Sequence, residues 1–213
     1  MANKGLKNQL AWLNVGSKES NVQLGYLEFL KTQFNEVIAL EIGSAYGGAV
    51  ETMAKFLKGR GKAYGYDTFE GHPEDLSDDS LSGEARCMDI WYVHPDFGRG
   101  KNLSYKYQRK VLDQQGLDNA ILVKGRINKH SFDDIKEAHL VMMDLDLVKS
   151  TEVAYFAVRG KIVLGGYLFM HDAIPANHLP LLHKFIYNEV VTDKMWSIEA
   201  EIPDMNLLIL KHK

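Results

Sequence analysis

Short apolar runs recur along the chain, and most of them are followed by a stretch with apolar residues at helical spacing. A run of about four to eight aliphatic residues suits a strand that is buried on both faces of a parallel sheet. Amphipathic stretches between such runs predict the helices that cover the sheet. The alternation indicates an α/β fold built on one mostly parallel sheet.

The apolar runs predict five parallel strands, and two alternating segments near the C-terminus predict an antiparallel hairpin. The parallel strands are predicted at 37–40, 63–66, 120–123, 140–143 and 167–170, and the hairpin strands at 196–202 and 205–210. Leu164, Gly165 and Gly166 are predicted to form a turn before the fifth strand. The result is a seven-stranded sheet with one reversed edge strand and helices on both faces.

Helices are predicted between the strands and ahead of them. Four of them fall at 49–57, 104–115, 131–138 and 180–191. A further helix is predicted after the fourth strand, with Ser150 or Thr151 as its N-cap. Ser131 is predicted to cap the helix at 131–138, because the acids that follow it suit the helix dipole. Residues 1–36 predict a helical extension of two helices broken around Gly16, and residues 37–213 then form one α/β domain.

A long segment without sustained periodicity separates the second strand from the next helix. Residues 72–103 hold an acidic run together with Trp91, Tyr92 and Phe97. A connection of this length inside a compact domain is typical of a functional lid or of a disordered segment. The aromatic residues favour a lid that orders over a substrate, and the acidic run is typical of a solvated face.

The first strand ends in a glycine-rich turn, 41–48, that reads E-x-G-x-x-x-G-G. Dinucleotide folds use G-x-G-x-x-G, because the second glycine lets the backbone approach a pyrophosphate, and Ala45 stands at that position. Glu41 attracts a cation, which suits the sulfonium and ammonium of S-adenosylmethionine. Asp67 ends the second strand, where an acid accepts hydrogen bonds from ribose hydroxyls. The alternative is a plain loop whose glycines only allow tight packing, and Asp67 favours the cofactor site over it.

Acidic side chains also follow the fourth and fifth strands. Asp144 and Asp146 follow the fourth strand, and His171 and Asp172 follow the fifth. Carboxylates that meet at one edge of a sheet repel each other and are costly to desolvate, and a cation relieves both effects. We therefore predict that Asp144 and Asp172 bind Mg²⁺, which commonly takes one or two carboxylates. Asp146 is predicted to be a helix N-cap instead.

Composition narrows the function classes further. The chain has 213 residues, one cysteine and a formal net charge of −3. This length suits one α/β domain, and the charge, without a basic stripe, argues against a nucleic-acid partner. The single cysteine, Cys87, excludes an internal disulfide framework and fits a reducing cytoplasm. No apolar run approaches membrane-spanning length. The sequence predicts a cytoplasmic protein and leaves a homo-oligomer open.

Four segments of the chain resemble class I S-adenosylmethionine-dependent methyltransferases, and specifically the macrocin O-methyltransferase family of sugar methyltransferases. They are the turn 41–48, the stretch DTFEGHP at 67–73, DLDL at 144–147 with Ser150 and Thr151, and the segment 165–172. The family reads roughly D-S-F-E-G-L-P in the second segment and D-x-D-L-Y-E-S-T in the third. The D-x-F-E-G-x-P stretch is the most specific of these motifs.

The resemblance implies the Rossmann-like class I methyltransferase fold and O-methylation of a small-molecule hydroxyl, commonly of a sugar, with Mg²⁺ on the substrate oxygens. The residues implied to bind S-adenosylmethionine are Glu41, Gly43, Ser44, Tyr46, Gly47, Asp67, Thr68, Gly125 and Asp144. Asp144 is also implied to be a metal ligand and the general base, and Asp172 a second metal ligand.

His171 departs from the family pattern, because it replaces the first of the two acids that usually end the fifth strand. A neutral imidazole suits Mg²⁺ poorly. Three interpretations follow: His171 stands aside, it binds a softer metal such as Mn²⁺, or the site is metal-free and His171 is the catalytic base. Two rival functions also remain open. A nicotinamide-dependent reductase would bind NAD tightly, and a non-catalytic relative would have a closed cofactor pocket.

Overall fold

The computed structural model describes residues 18–45, 47–70, 104–174 and 179–213. The predicted helix ahead of Gly16 and the predicted lid at 72–103 lie outside the described residues, and so does Tyr46.

The described residues form seven strands that join into one sheet. The strands are β1 Val37–Ile42, β2 Gly61–Asp67, β3 Ala120–Lys124, β4 Ala138–Met143, β5 Ile162–Met170, β6 Trp196–Ile202 and β7 Leu207–His212. Their order across the sheet is β3-β2-β1-β4-β5-β7-β6, with β1 to β5 mutually parallel. The predicted seven-stranded, mostly parallel sheet with a C-terminal antiparallel hairpin is confirmed.

The sequence predicts one reversed strand at the edge of the sheet, but the reversed strand, β7, does not lie at the edge. β7 is antiparallel to both β5 and β6, so it lies one position inside the edge and β6 forms the edge. The residues Leu207 to Leu210 are all buried, which suits a strand covered on both faces. β6 carries the exposed residues Ile198 and Glu201, which suits an edge strand.

Helices cover both faces of the sheet, as predicted. They are α1 Lys18–Gln33, α2 Gly48–Leu57, α3 Tyr105–Gln114, α4 Val148–Val158 and α5 Pro180–Phe185, and α5 continues into a π-helical turn at Ile186–Val190. Apolar residues of α1, α2 and α3 pack with one face of the sheet, and those of α4 and α5 pack with the other. In the described part of the chain, no helix has both the length and the apolar character that crossing a membrane requires.

The predicted helix at 131–138 does not form. Residues 129–134 form turns, in which the Ser131 hydroxyl accepts a hydrogen bond from the Asn128 backbone N–H at 2.9 Å. The Asn128 side chain accepts another from the His130 N–H at 2.9 Å. Side chains of these types compete with helix formation by bonding to the backbone nearby. Ser131 therefore closes a loop instead of capping a helix.

The predicted caps of α4 are also wrong. The N-cap position belongs to Leu147, and Asp146 precedes it with a φ of 59°, whereas an aspartate at an N-cap typically has an extended backbone. Thr151 lies inside the helix, where its hydroxyl donates to the Leu147 carbonyl at 2.9 Å. The chain thus turns sharply at Asp146 before α4 begins.

The predicted turn at 164–166 is an irregularity within a longer strand. β5 runs through it, and its register against β4 shifts between the pairs Ala138–Ile162 and Leu140–Tyr167. Gly165 has a φ of 79°, and a Cβ on Gly166 would lie 2.9 Å from the Val163 carbonyl oxygen. Glycine allows this bulge, because neither position accommodates a side chain without strain.

A buried polar network ties α4 to the segment that precedes β6. The Tyr155 hydroxyl donates to Asp193 Oδ2 at 2.8 Å and accepts the Trp196 indole N–H at 2.9 Å. Arg159 pairs with the same oxygen of Asp193. Burial raises the pKa of Tyr155 to about 12, so its hydroxyl keeps the proton that it donates.

Replacing Tyr155 with phenylalanine is expected to lower the free energy of unfolding by about 1–3 kcal/mol, because the buried Trp196 N–H loses its acceptor. Urea denaturation measures this as a lower midpoint at an unchanged slope. Tyr107→Phe is the control, since Tyr107 is an exposed tyrosine on α3. A Tyr155→Phe protein as stable as the control would show that the network contributes nothing.

Candidate functional site

The carboxyl ends of β2, β1, β4 and β5 lie side by side, because these strands are neighbours in the sheet. The residues that follow them share an unusual backbone conformation. Each strand is followed by a non-glycine residue with positive φ: Ala45 (38°), Phe69 (56°), Asp146 (59°) and Asp172 (52°). Such residues cost of order 1–3 kcal/mol each and cluster at functional sites. We call this edge of the sheet the rim.

Gly43 brings the glycine turn into direct contact with the end of β4. Its φ is 91°, and a Cβ at this position would lie 1.8 Å from the Asp144 carbonyl oxygen. The Gly43 N–H donates to the Tyr66 carbonyl at 2.9 Å, so the turn lies between the ends of β2 and β4. Only glycine fits here, for its conformation and for the close approach.

Glu41 is buried and holds the first turn of α2 against β1. Its Oε2 accepts a hydrogen bond from the Val50 N–H at 3.1 Å. The first backbone N–H groups of a helix have no partner inside the helix, so a carboxylate at this place stabilises the helix start. The sequence analysis missed this structural role, and the role of Glu41 in cofactor binding stays a prediction.

Asp67 joins the turns that follow β1 and β2. Its Oδ2 accepts from the Ala45 N–H at 2.9 Å, and its Oδ1 accepts from the Phe69 N–H at 2.7 Å. A carboxylate offers about four acceptor sites, so these bonds are compatible with further bonds to a ribose. The two backbone bonds also fix the orientation of the carboxylate before any ligand binds.

Ser44, Thr68 and Gly125, which are also predicted to bind the cofactor, lie near Glu41 and Asp67. Ser44 is only 3% exposed, and its hydroxyl has no hydrogen-bond partner among the described residues. The Thr68 hydroxyl accepts from the Glu70 N–H at 3.2 Å. The Gly125 N–H donates to the Asp67 backbone carbonyl at 2.9 Å, which brings the end of β3 to the same rim. An unsatisfied buried hydroxyl such as that of Ser44 is costly without a ligand or water.

Gln108 on α3 contacts the glycine turn, although the sequence analysis did not select it. Its side-chain amide donates to the Ala45 carbonyl at 2.5 Å, and it is only 4% exposed. A Cβ on Gly47 would lie 2.4 Å from Gln108 Oε1, so the glycine makes room for this side chain. The signal in the sequence is a polar residue one helical turn before Leu112, on the buried face of an amphipathic helix.

Replacing Gln108 with alanine is expected to weaken binding of S-adenosylhomocysteine about tenfold, because the turn loses the bond that holds the Ala45 carbonyl. Isothermal titration calorimetry measures the change. Gln114→Ala, at the exposed end of the same helix, should bind as the wild type does. Equal affinity of the two variants would contradict a positioning role for Gln108.

Asp144, His171 and Asp172 form a cluster at the ends of β4 and β5. One potential ligand atom from each side chain lies within 4.8 Å of the other two. His171 Nδ1 is 3.3 Å from Asp144 Oδ1 and 3.1 Å from Asp172 Oδ2. Burial disfavours the charged imidazole, but hydrogen bonds and charge from the two carboxylates outweigh it and raise the pKa of His171 to about 11. The two carboxylates thus create a strong preference for positive charge between them.

The structure therefore brings the predicted site residues that it describes, all but Tyr46, to one rim. The glycine turn, Asp67 and the cluster of Asp144, His171 and Asp172 follow adjacent strands. The contact between Gly43 and Asp144 joins the predicted cofactor turn to the predicted metal cluster. Ligands of open α/β sheets bind at this edge of the sheet.

Solved structures of methyltransferases share this architecture. The calicheamicin methyltransferase CalS11 matches with a TM-score of 0.62 and 16% identity, over 98% of this chain and 90% of that chain. The O-methyltransferase NovP matches with a TM-score of 0.60 and 17% identity, over 99% and 80%. An rRNA methylase from Streptococcus thermophilus matches with a TM-score of 0.54 and 14% identity, over 93% and 98%. The chain has the class I methyltransferase fold.

At these identities the likeness establishes the methyltransferase fold, and the reaction has to be argued from the site. No protein-family model matches the sequence, and a search of curated proteins gives no match. Membership of the macrocin family therefore stays a prediction. The fold itself places its ligand at the carboxyl ends of the strands, which is where the predicted site residues lie.

Proposed function

We propose that this protein is an S-adenosylmethionine-dependent O-methyltransferase that acts on a hydroxyl of a small molecule, with a sugar or a glycosylated metabolite as the substrate class. The observation that carries the proposal is the contact of Gly43 with Asp144, which sets the cofactor turn against a candidate base. The matched CalS11 is described as a TDP-rhamnose 3'-O-methyltransferase, which supports a sugar hydroxyl as the acceptor.

The residues at the turn fit S-adenosylmethionine, which supplies an electrophilic methyl group on a sulfonium. The oriented carboxylate of Asp67 suits the ribose hydroxyls, and the buried Ser44 hydroxyl suits a polar group of the ligand. Glu41 provides negative charge beneath a ligand that carries two positive groups in its methionine part. The absence of a G-x-G-x-x-G turn disfavours the pyrophosphate of a nicotinamide dinucleotide.

The residues of the cluster fit a divalent metal, because they combine two carboxylates with an imidazole at short range. A metal bound there would supply Lewis acidity, which makes a nearby hydroxyl easier to deprotonate. We propose that Asp144 accepts the proton of the substrate hydroxyl, because its side chain is the most exposed of the three. His171 is a poor base in either state: without a metal the flanking carboxylates raise its pKa and keep it protonated, and with a metal bound its ring nitrogen would be a ligand. The deprotonated hydroxyl oxygen then attacks the methyl carbon as the carbon–sulfur bond breaks, giving a methyl ether and S-adenosylhomocysteine.

The test is calorimetric titration with S-adenosylhomocysteine of the wild type and of Asp67→Ala. We expect micromolar binding by the wild type and a loss of about 100-fold in the variant, because the ribose loses charged hydrogen bonds. Asp118→Ala, an exposed acid at the opposite end of the sheet, serves as the matched control and should bind normally. No binding by the wild type would refute the proposal.

Two further experiments, an NAD titration and a methyl-transfer assay, distinguish the proposed function from its rivals. Tight binding of NAD in place of S-adenosylhomocysteine would support the nicotinamide-dependent reductase. Transfer of a labelled methyl group to nucleotide sugars, glycosides and catechols identifies the acceptor class. Binding of the cofactor product without transfer to any of these acceptors would favour the non-catalytic relative.

A further inference from the structure

The cluster of Asp144, His171 and Asp172 offers two kinds of ligand atom. The two acids present carboxylate oxygens, and His171 presents a ring nitrogen. Mg²⁺ prefers oxygen ligands and keeps several waters, whereas imidazole suits later first-row ions such as Zn²⁺, and affinity for a site with a nitrogen ligand rises from Mn²⁺ through Co²⁺. These ligand atoms therefore discriminate among divalent ions, provided that His171 is one of the ligands.

The distances are compatible with His171 as a metal ligand beside the two carboxylates. Around a metal with bonds of about 2.1 Å, neighbouring ligand atoms lie about 3.0 Å apart in an octahedron and about 3.4 Å apart in a tetrahedron. His171 Nδ1 lies 3.3 Å from Asp144 Oδ1 and 3.1 Å from Asp172 Oδ2. Both separations match the edge of a coordination polyhedron, and they also match the hydrogen bonds that a protonated His171 donates to the carboxylates, so a bound metal would take the place of that proton.

The backbone holds the two ligands from β5 in place. The His171 N–H donates to the Met143 carbonyl at 3.0 Å, and the Ala173 N–H donates to the Asn206 carbonyl at 3.0 Å. The side chains of His171 and Asp172 are 24% and 11% exposed, compared with 36% for Asp144. The backbone bonds thus fix the positions of His171 and Asp172, and Asp144 lies on the side of the cluster that is more exposed to solvent.

We propose that this cluster binds a first-row transition-metal dication in preference to Mg²⁺, and that His171 sets the preference. The inference rests on the proposed function, because it specifies the metal of the same site. Affinity for an imidazole-containing site rises from Mn²⁺ through Co²⁺ and is high for Zn²⁺, so the order among these ions is part of the expectation.

The test is calorimetric titration of the full-length, chelator-treated protein with Mg²⁺, Mn²⁺, Co²⁺ and Zn²⁺ in separate runs, without a methyl donor or acceptor. We expect Mn²⁺ to bind at least about tenfold more tightly than Mg²⁺, and Co²⁺ and Zn²⁺ more tightly still. His171→Asp creates an all-carboxylate set and should reduce the ratio of Zn²⁺ to Mg²⁺ affinity at least tenfold, because Zn²⁺ is the ion of the four that imidazole suits best. His171→Asn, which offers an amide oxygen, should act in the same direction if the aspartate variant fails to fold.

The matched control is His130→Asp. His130 is an exposed histidine whose Nδ1 lies 3.1 Å from Asp133 Oδ2, so it forms a histidine–carboxylate pair away from the cluster. Its replacement should leave the affinity for all four ions unchanged. A response equal to that of His171→Asp would place the binding elsewhere and overturn the inference.

Titration of the same samples with S-adenosylhomocysteine separates this inference from the proposed function. A protein that binds S-adenosylhomocysteine but prefers Mg²⁺, or binds none of the four ions, overturns the metal inference and leaves the methyltransferase proposal standing. A protein that binds the transition metals but not S-adenosylhomocysteine supports the metal site and refutes the proposed function.

Discussion

Replacing Gly43 with alanine is expected to abolish measurable binding of S-adenosylhomocysteine and to lower the free energy of unfolding by about 2–4 kcal/mol. The added Cβ would lie 1.8 Å from the Asp144 carbonyl oxygen, and the φ of 91° is unfavourable for alanine. The end of β1 or of β4 would have to move, which would separate the predicted cofactor turn from Asp144. Calorimetry gives the affinity, and urea denaturation gives the stability.

Gly48→Ala is the matched control in the same turn. Among the described residues, and apart from its chain neighbours and its own helix, no atom lies within 4 Å of a Cβ placed on Gly48, and this residue begins α2. Alanine in a helix is favoured over glycine by about 0.5–1 kcal/mol, so the control should be neutral or slightly stabilised. If both variants bind S-adenosylhomocysteine equally well, the contact of Gly43 with Asp144 is not part of the cofactor site.

Replacing Asp144 with asparagine is expected to reduce kcat by about 10²–10⁴, the usual contribution of a general base. The affinity for S-adenosylhomocysteine should change far less, because Gly43 contacts the backbone carbonyl of Asp144 and not its side chain. Steady-state methyl transfer to an acceptor identified as above, together with calorimetry, separates the two effects. A fall in affinity that accounts for the whole loss of activity would assign Asp144 to binding alone.

Asp146→Asn is the control for this experiment. Asp146 lies two positions further along the same rim and has a φ of 59°. Asparagine tolerates the left-handed region as well as aspartate does, so the substitution removes a charge without straining the backbone. An equal loss of kcat in both variants would indicate that the general electrostatic field of the rim matters, and not a proton transfer at Asp144.

The strands were predictable because a strand buried on both faces consists of a short run of apolar residues. The run that begins at Val37 and the run that ends at Met143 are short and apolar, and both became central strands. The loop that replaces the predicted helix at 131–138 was not predictable, because Asp and Ser favour helix starts and loop turns alike. The position of β7 inside the edge depends on burial by other elements, which no local pattern records.

The candidate site was predictable where an acid ends a buried strand. Asp67 and Asp144 were selected on that ground, and the structure places both on one rim. Gln108 was not selected, because its importance comes from a contact with Ala45 far away in the sequence. The structural role of Glu41 at the start of α2 was missed for a similar reason: an acid beside a glycine turn suggests a ligand before it suggests a helix.

The arrangement of the last two strands bears on how the chain acquires its fold during synthesis. β6 leaves the ribosome before β7, yet among the described strands β6 reaches the sheet only through β7. Until β7 emerges, the nascent chain presents β5 as an open edge with a row of unpaired backbone groups, the kind of surface that recruits neighbouring chains. Completion of the sheet, and with it the support that Asn206 gives to the segment after Asp172, therefore waits until β7 has been synthesised.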